Sequence, residues 1–400
     1  CGQAGTAGDV GTHRLGLGRP HVPRDRTAPN VLGSIPTPVP IISCWVVLAG
    51  TWAWTPRDSS PEGPGWDQPT PALCSAGIGK CVAMDLARRN ARTILACRSR
   101  ERGQAAVEEI RAATGNPAVV LRLLDTGSLA SVRAFASAVL REESRLDVLV
   151  NNAGVTGLPF TITSEGLEQT FAINYLGPFL LTNLLLDLLK ASAPARVVNV
   201  SSFRHSLGTA DSGFLTGQRC PGGYDAAYNS TKLMNVLFTA ELARRLQGTG
   251  GCWAVPGSAV PCGTLGTSPV PGLRSCWQSW GCGPAGVTAN ALSPGVVSTS
   301  IMRHFSWPVR ALFSLLRPFM KVSGAGSCPS WGQRGGWGSA EQGAASTIFC
   351  AVSEEAAGIT GKYFDSSCRL ALPSVAARDA ALARKLWEAS ERLTGLTEQD

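Results

Sequence analysis

The chain alternates between short apolar runs and amphipathic helical segments, and this alternation constrains its fold more than any other feature. The apolar runs are predicted strands, which cover residues 92–97, 118–124, 146–150, 196–200, 287–292 and 361–365. Helical periodicity marks the segments that flank and separate them, namely 77–90, 101–113, 128–143, 165–190, about 226–247 and 378–393. Strands that are apolar on both faces and alternate with helices need a parallel sheet covered on both sides. The sequence therefore predicts an α/β fold with one doubly wound parallel sheet.

Three segments lack this periodicity: residues 1–73, 251–285 and 323–340. They mix Gly, Pro, Ser, Cys and Trp, and they hold nine of the eleven tryptophans of the chain. Such segments cannot bury enough patterned apolar surface to offset the entropy lost on ordering. We therefore expect 1–73 to be mostly disordered, and the other two to be loop inserts in a single domain spanning 74–396. We also hypothesise that all three are translated non-coding sequence or splice variation.

The charge and cysteine patterns exclude several classes of function. The net charge is +8, but the chain has no Lys/Arg run with interleaved aromatic residues, so we expect a solvated basic surface and no nucleic-acid partner. Its 13 cysteines include no C-x-x-C pair, which indicates neither a metal site nor a disulfide framework. The best candidate for a membrane span, residues 39–54, is too short to cross a bilayer. We expect an intracellular, reducing location.

The sharpest local signal is the segment Tyr228-Asn229-Ser230-Thr231-Lys232. On a helix, positions i and i+4 share a face, so the phenol of Tyr228 and the ammonium of Lys232 project together. A nearby cation favours phenolate and lowers the pKa of a tyrosine towards working pH. An acid/base acting on an alcohol or carbonyl oxygen needs such a group.

Polar residues follow two of the predicted strands at what would be one edge of the sheet. Strand 196–200 is followed by Ser201-Ser202, and strand 146–150 by Asn151-Asn152-Ala153-Gly154. Taken singly, each is typical of a turn or a helix cap. Ligands bind at the carboxyl edge of parallel sheets, so their joint placement favours a binding site there.

A partial phosphate-binding turn precedes the first predicted helix. Gly77-Ile78-Gly79 lets backbone amides approach a pyrophosphate at the helix N-terminus, although one G-x-G is a weak signal. Strand 92–97 ends beside Arg98, where an NAD site would need an acidic residue for the ribose. A guanidinium suits a 2′-phosphate, so the sequence favours NADP(H); a solvated surface arginine is the alternative.

These motifs, in this order, resemble the classical short-chain dehydrogenase/reductase family, and in particular its retinol dehydrogenase branch. The runs that carry the resemblance are PARVVNVSS, ILACRSRERG, NNAGVT, INYLGPFLLTNLL, YNSTKLMNVLFTAELARRLQGTG, SPGVVSTSIMRH, GKYFDSSC and the C-terminal RDAALARKLWEASERLTGL. It covers residues 75–250, 286–322 and 341–396. The resemblance implies a Rossmann-type domain that transfers a hydride between NADP(H) and a small lipophilic alcohol or aldehyde such as a retinoid. Membrane-surface association and a homodimer formed through the helices flanking Asn174 and Tyr228 are also implied.

The resemblance also implies roles for matching residues. Tyr228 would be the acid/base, Ser202 would bind the substrate oxygen, Lys232 would hold the nicotinamide ribose and lower the tyrosine pKa, and Asn174 would complete a proton relay through water. The implied cofactor-binding residues are Gly77, Ile78, Gly79, Arg98, Asp125, Asn152, Ala153, Gly154, Lys232, Pro294, Gly295 and Thr299.

The sequence departs from the family pattern at its first strand and first glycine. Leu73 stands where the first glycine of the turn is expected, and the residues before it cannot form a strand. Losing four or five buried apolar residues there would cost roughly 6–15 kcal/mol, comparable to the stability of a whole domain. The first strand is therefore either missing or replaced by residues 41–48, which have strand composition. The same departure supports an alternative function, a non-catalytic relative that binds cofactor poorly.

Overall fold

A computed structural model of the chain describes residues 43–47, 77–223, 225–247, 286–295 and 340–397. The strands are β1 (Ser43–Val47), β2 (Arg92–Cys97), β3 (Val119–Leu123), β4 (Val148–Asn151), β5 (Ala195–Val200), β6 (Val287–Leu292), β7 (Tyr363–Phe364) and β8 (Leu370–Ala371). The helices are α1 (Ile78–Arg88), α2 (Arg100–Thr114), α3 (Leu129–Glu142), α4 (Gln169–Phe171), α5 (Gly177–Leu184), α6 (Leu186–Ala191), α7 (Ala226–Arg245), α8 (Ala340–Val352) and α9 (Ala380–Thr394).

The strands form one sheet in the order β3-β2-β1-β4-β5-β6-β7-β8. Neighbouring strands from β3 through β7 are parallel, and only the edge pair β7–β8 is antiparallel. The chain moves outwards from β1 to β3 and then crosses back to β4, so the strand order reverses between β1 and β4. The predicted doubly wound parallel sheet is confirmed, and its reversal point is where such folds bind ligands.

Strand β1 occupies the slot that the sequence left in doubt. Its backbone pairs with β2 on one side, Trp45 opposite Ile94, and with β4 on the other, Trp45 opposite Leu149. The first strand is therefore not missing but replaced: residues from the 41–48 segment form the strand next to the reversal point. Leu73 lies outside the described residues, as do most of the segments 1–73, 251–285 and 323–340, so their predicted disorder and loop character stay predictions.

Two apolar layers cover the two faces of the sheet, as the alternation of buried residues predicts. Ile94 of β2 faces the layer formed by α3, α5, α7 and α9, whereas its neighbour Leu95 faces the layer formed by α1, α2 and α8. Successive side chains of a strand point to opposite faces. Because both faces of the central strands are covered in this way, functional groups can emerge only at the strand ends.

The prediction of one continuous helix over residues 165–190 was wrong. Helical structure begins only at Gln169, because the Glu168 carboxylate caps it by accepting a hydrogen bond from Phe171 N at 3.0 Å. A π-helical turn at Ala172–Leu176 then separates α4 from α5, and α6 follows a break at Leu185. Such π-turns often mark functional positions, and this one carries Asn174.

The C-terminal helix α9 packs across α5 and α7. The Trp387 ring lies 4.9 Å from Phe179 and 5.7 Å from Phe238, measured between ring centroids, and all three side chains are buried. The Tyr175 hydroxyl is hydrogen-bonded to Ser390 Oγ at 2.8 Å in the same contact. A second copy that paired with α5 and α7 through this face would have to displace α9.

Candidate active site

The candidate site lies at the carboxyl edge of the sheet, where β4, β5 and β6 end. Asn151, the last residue of β4, donates from Nδ2 to Asn199 Oδ1 of β5 at 2.8 Å and to Thr182 Oγ1 at 3.0 Å. These buried bonds fix the ends of the two strands relative to α5. The segments that follow, Asn152–Gly154 after β4 and Ser201–Ser202 after β5, therefore emerge side by side.

Ser202 and Tyr228 meet at this edge. The side chain of Ser202, which is 7% exposed, lies close enough to the Tyr228 hydroxyl to lower its pKa, and Tyr228 itself is 9% exposed. The backbone N–H of Arg204 donates to Ser202 Oγ at 3.2 Å, which orients the serine hydroxyl. Two residues from distant parts of the chain thus present adjacent hydroxyl groups, the arrangement that an acid/base and a substrate-oxygen partner need.

Lys232 lies one helical turn beyond Tyr228 on α7. Its Nζ donates to the carbonyl oxygen of Val200 at 2.9 Å and lies 5.6 Å from the centre of the Tyr228 ring. In the other direction, Ser201 Oγ donates to the backbone oxygen of Lys232 at 2.7 Å. These two hydrogen bonds fasten the end of β5 to α7. Burial lowers the pKa of Lys232 to about 8, because water no longer stabilises its charged form.

The expected lowering of the tyrosine pKa by Lys232 is not what this structure shows. Burial dominates and raises the pKa of Tyr228 to about 12; the hydrogen bond from Ser202 and the positive charge of Arg204 lower it, and the negative charge of Asp225 raises it further. The Lys232 ammonium instead bonds to the Val200 carbonyl. The phenol is consequently protonated at neutral pH.

Asn174 holds the loop after β4 against α7. Its Oδ1 accepts from Val155 N at 2.8 Å, and its Nδ2 donates to Val155 O at 2.9 Å and to Thr231 Oγ1 at 3.1 Å. Gly154 passes so close that a Cβ there would lie 3.3 Å from Lys232 Nζ. Asn174, Gly154 and Lys232 are therefore brought together, in keeping with the roles that the resemblance implies, whereas the water relay stays a prediction.

Sequence reasoning missed three residues beside this group. Arg204 stacks over the Tyr228 ring, with its guanidinium carbon 5.1 Å from the ring centre, and pairs with Asp225 at 2.7 Å. His205 Nδ1 bonds to the Ser202 carbonyl at 2.7 Å, while its Nε2 accepts from Ser374 N at 3.1 Å, so the imidazole is neutral with its proton on Nδ1. Burial lowers the pKa of His205, which is consistent with this state. No short motif joins these residues, so the sequence alone offers no signal for them.

The backbone at the start of α1 fits a dinucleotide. Gly77 precedes the helix with φ 108° and ψ −167°, a conformation that essentially only glycine adopts, and no side chain caps the helix. Its first-turn amides are suited to a pyrophosphate, which the helix dipole also favours. Ile78 and Gly79 form the first turn, as predicted. The half-buried Arg98 directly follows β2 at the same edge of the sheet.

The remaining predicted cofactor residues lie at successive strand ends. Asp125 follows β3, and its Oδ1 accepts from Gly127 N at 2.9 Å. Pro294 and Gly295 follow β6, where Ser293 Oγ accepts from both Gly295 N at 3.3 Å and Phe203 N at 3.1 Å. This serine thus joins the end of β6 to the turn that carries Ser202. Asn152 and Ala153 lie between β4 and Gly154, whereas Thr299 lies outside the described residues.

None of the helices in the described ranges is both long enough and apolar enough to cross a bilayer.

The known proteins that this chain resembles belong to one protein family. Residues 74–275 match the family model for short chain dehydrogenases. Retinol dehydrogenase 13 of Mus musculus is 40% identical over 323 residues, which cover 80% of this chain and 82% of that protein. Dehydrogenase/reductase SDR family member 13 of Bos taurus is 39% identical over 330 residues, which cover 80% of this chain and 71% of that protein.

The solved structures include a similar fold. The crystal structure of an uncharacterized protein from Mycobacterium paratuberculosis is 26% identical in sequence, with a TM-score of 0.55. The match covers 89% of this chain and 94% of that one.

Proposed function

Because the chain belongs to the short-chain dehydrogenase family and is an oxidoreductase related to retinol dehydrogenases, we propose that it transfers a hydride between NADP(H) and a lipophilic aldehyde or alcohol such as a retinoid. The observation that carries the proposal is the convergence of Ser202 and Tyr228 at the end of β5, with Lys232 one helical turn away and bonded to the Val200 carbonyl. These hydroxyls lie where the carboxyl ends of β5 and β6 meet, the position at which parallel sheets bind ligands.

The chain supplies the proton chemistry and the positioning of the reaction. Tyr228 donates its phenolic proton to the carbonyl oxygen of the aldehyde, or takes it from the alcohol in the reverse direction. Ser202 donates a hydrogen bond to the same oxygen and holds it against Tyr228. Bound NADPH would supply the hydride, and Lys232 and the glycine turn at Gly77 would hold it. Asn174 keeps the loop after β4 closed against α7, which fixes the floor of the site.

The protonation state of Tyr228 supports reduction as the favoured direction. With its pKa raised to about 12 by burial, the phenol carries its proton throughout the neutral range and is ready to act as an acid. Oxidation needs the phenolate, which is scarce far below that pKa. We therefore propose that the enzyme works mainly as an aldehyde reductase, with oxidation gaining as the pH rises.

The surroundings of Ser202 support a lipophilic substrate. Phe203, the next residue, is 51% exposed, and Leu207 at the end of the same turn is also exposed. Exposed apolar side chains beside a catalytic group favour a substrate with an apolar body. We propose a membrane surface as the source of such substrates. A homodimer would have to form through surfaces other than the face of α5 and α7 that α9 covers.

The proposed function is tested with the purified full chain, NADPH and two aldehydes, retinal and propanal. We expect NADPH oxidation with retinal at a kcat/KM at least about 100-fold above that for propanal, since burial of the apolar body adds several kcal/mol. Equal values for the two aldehydes would contradict the lipophilic assignment. Failure of NADPH to bind in calorimetry would instead favour the non-catalytic alternative.

Arg98 provides a test of cofactor choice. Replacing Arg98 with Gln removes a charged partner for the 2′-phosphate, so the Kd for NADPH should rise about 10- to 100-fold, as expected for a charge-assisted hydrogen bond. The Kd for NADH should not change. Arg100→Gln is a matched control, because Arg100 is exposed and begins α2 two residues later. If the Arg98 variant binds both cofactors as the parent does, the preference for NADP(H) must come from another residue.

A further inference from the structure

Arg204 and Asp225 form a linked pair around the Tyr228 ring. The Arg204 guanidinium lies over the ring, 5.1 Å from its centre, and its Nη1 contacts Asp225 Oδ2 at 2.7 Å. Both groups are largely removed from water, with side-chain exposures of 20% for Arg204 and 6% for Asp225. Charges in such surroundings interact with their neighbours much more strongly than exposed ones do.

Asp225 is held firmly in place. The residue has φ 50° and ψ 35°, the left-handed region, and does not cap the helix that begins at Ala226. Its carboxylate instead bonds to the Thr156 hydroxyl and accepts from Gly157 N at 3.2 Å. This backbone conformation is uncommon for a non-glycine residue, although Asp adopts it more readily than most, and these contacts help to hold Asp225 in it. Asp225 therefore ties the loop after β4 to the start of the catalytic helix.

We propose that Arg204, anchored by Asp225, is a positioning residue that sets the acidity of Tyr228 through its charge. The turn after β5 thereby serves two purposes: the Arg204 backbone N–H orients Ser202, and its guanidinium stabilises the phenolate that forms when Tyr228 gives up its proton. The catalytic consequence rests on the proposed function, but the effect on Tyr228 ionisation does not.

The charges around the phenol allow a test by the sign of the change in the Tyr228 pKa. Among the described residues, the charged side chains near Tyr228 are Arg204 from the turn after β5, Asp225 before α7 and Lys232 on α7 itself. Burial and Asp225 raise the pKa of Tyr228, whereas Arg204 lowers it. Removing the Arg204 charge should therefore raise the pKa. Merely loosening the site would admit water and lower the pKa towards its ordinary value.

The experiment replaces Tyr228 with a fluorinated tyrosine, whose more acidic phenol titrates at a pH that the folded protein tolerates. The phenolate absorbance is then followed with pH in the full chain. We expect Arg204→Met to raise the midpoint by about one pH unit, which corresponds to a tenfold change in the ionisation constant. Arg204→Gln should act alike and Arg204→Lys, which retains the charge, should restore most of the parent value.

Asp225→Asn should lower the midpoint, because it removes the negative charge that opposes Arg204. Arg219→Met is the matched control, since Arg219 forms a comparable ion pair with Asp211 at 2.6 Å on the surface, and it should leave the midpoint unchanged. A midpoint that falls or stays constant in both Arg204→Met and Arg204→Gln would overturn the proposal. The titration needs no turnover, so loss of activity for other reasons does not affect its outcome.

Discussion

Replacing Tyr228 with Phe is expected to lower kcat for aldehyde reduction at least about 1,000-fold, within the range that a positioned general acid contributes. The phenylalanine ring can still pack beside Arg204 and Lys232, but it lacks the hydroxyl that we propose as the proton donor. Steady-state NADPH oxidation measures the loss, and calorimetry checks that the Kd for NADPH changes less than threefold, a tolerance of roughly 0.6 kcal/mol.

Tyr175→Phe is the matched control for this substitution. Tyr175 is also buried and loses its hydroxyl hydrogen bond to Ser390 at 2.8 Å, but it lies in the apolar layer with Phe179. Its variant should lose about 1 kcal/mol of stability and keep its activity. Comparable loss of activity in the two variants would mean that Tyr228 acts through packing and does not transfer the proton.

Placing a proline at Val46 in β1 is expected to cost on the order of 3–5 kcal/mol of unfolding free energy, a large share of the 5–15 kcal/mol typical of a domain. Val46 pairs with Leu95 of β2 and with Val150 of β4, so its strand is bonded on both sides. Proline removes one ladder hydrogen bond and its ring collides with the neighbouring strand. Urea unfolding followed by circular dichroism measures the cost.

A proline at Gly222, an exposed position where an added Cβ would meet no atom within 4 Å, serves as the control and should change the unfolding free energy by less than about 1 kcal/mol. If Val46→Pro is equally mild, residues 43–47 do not fill the central slot of the sheet in solution. Cofactor binding would then have to be explained without a strand next to the reversal point.

The strands were predicted well where both faces are buried, because such runs are apolar throughout and bounded by turns. The bounds of β2 and β6 were predicted to the residue. Strand β8 was missed, since two residues paired at an edge leave no pattern. The break within 165–190 was missed because both π-helical and α-helical turns bury apolar residues there. Strand β1 could be recognised by its composition, but the strands with which it pairs could not be predicted.

In the candidate site, too, some residues could be predicted from the sequence and others could not. Tyr228 and Lys232 could be paired from their spacing on one helix, and Ser202 and Gly154 from their places after predicted strands. Arg204 and Asp225 are 21 residues apart, and the segment between them follows no single periodicity. The pKa of Tyr228 was also predicted in the wrong direction, because the cost of burial depends on the packing of the whole edge. Spacing along the chain contains no measure of that cost.

The docking of α9 has a consequence for mixtures of variant and normal molecules. The rings of Phe179 and Phe238 pack against Trp387 of the same chain, and Arg245 at the end of α7 lies over that indole, 4.4 Å from its centre. A neighbouring molecule therefore has no access to these rings while α9 stays in place. Helix α7 of each molecule is therefore supported by its own polypeptide, and an inactive copy should not disturb an active one by exchanging contacts at these rings.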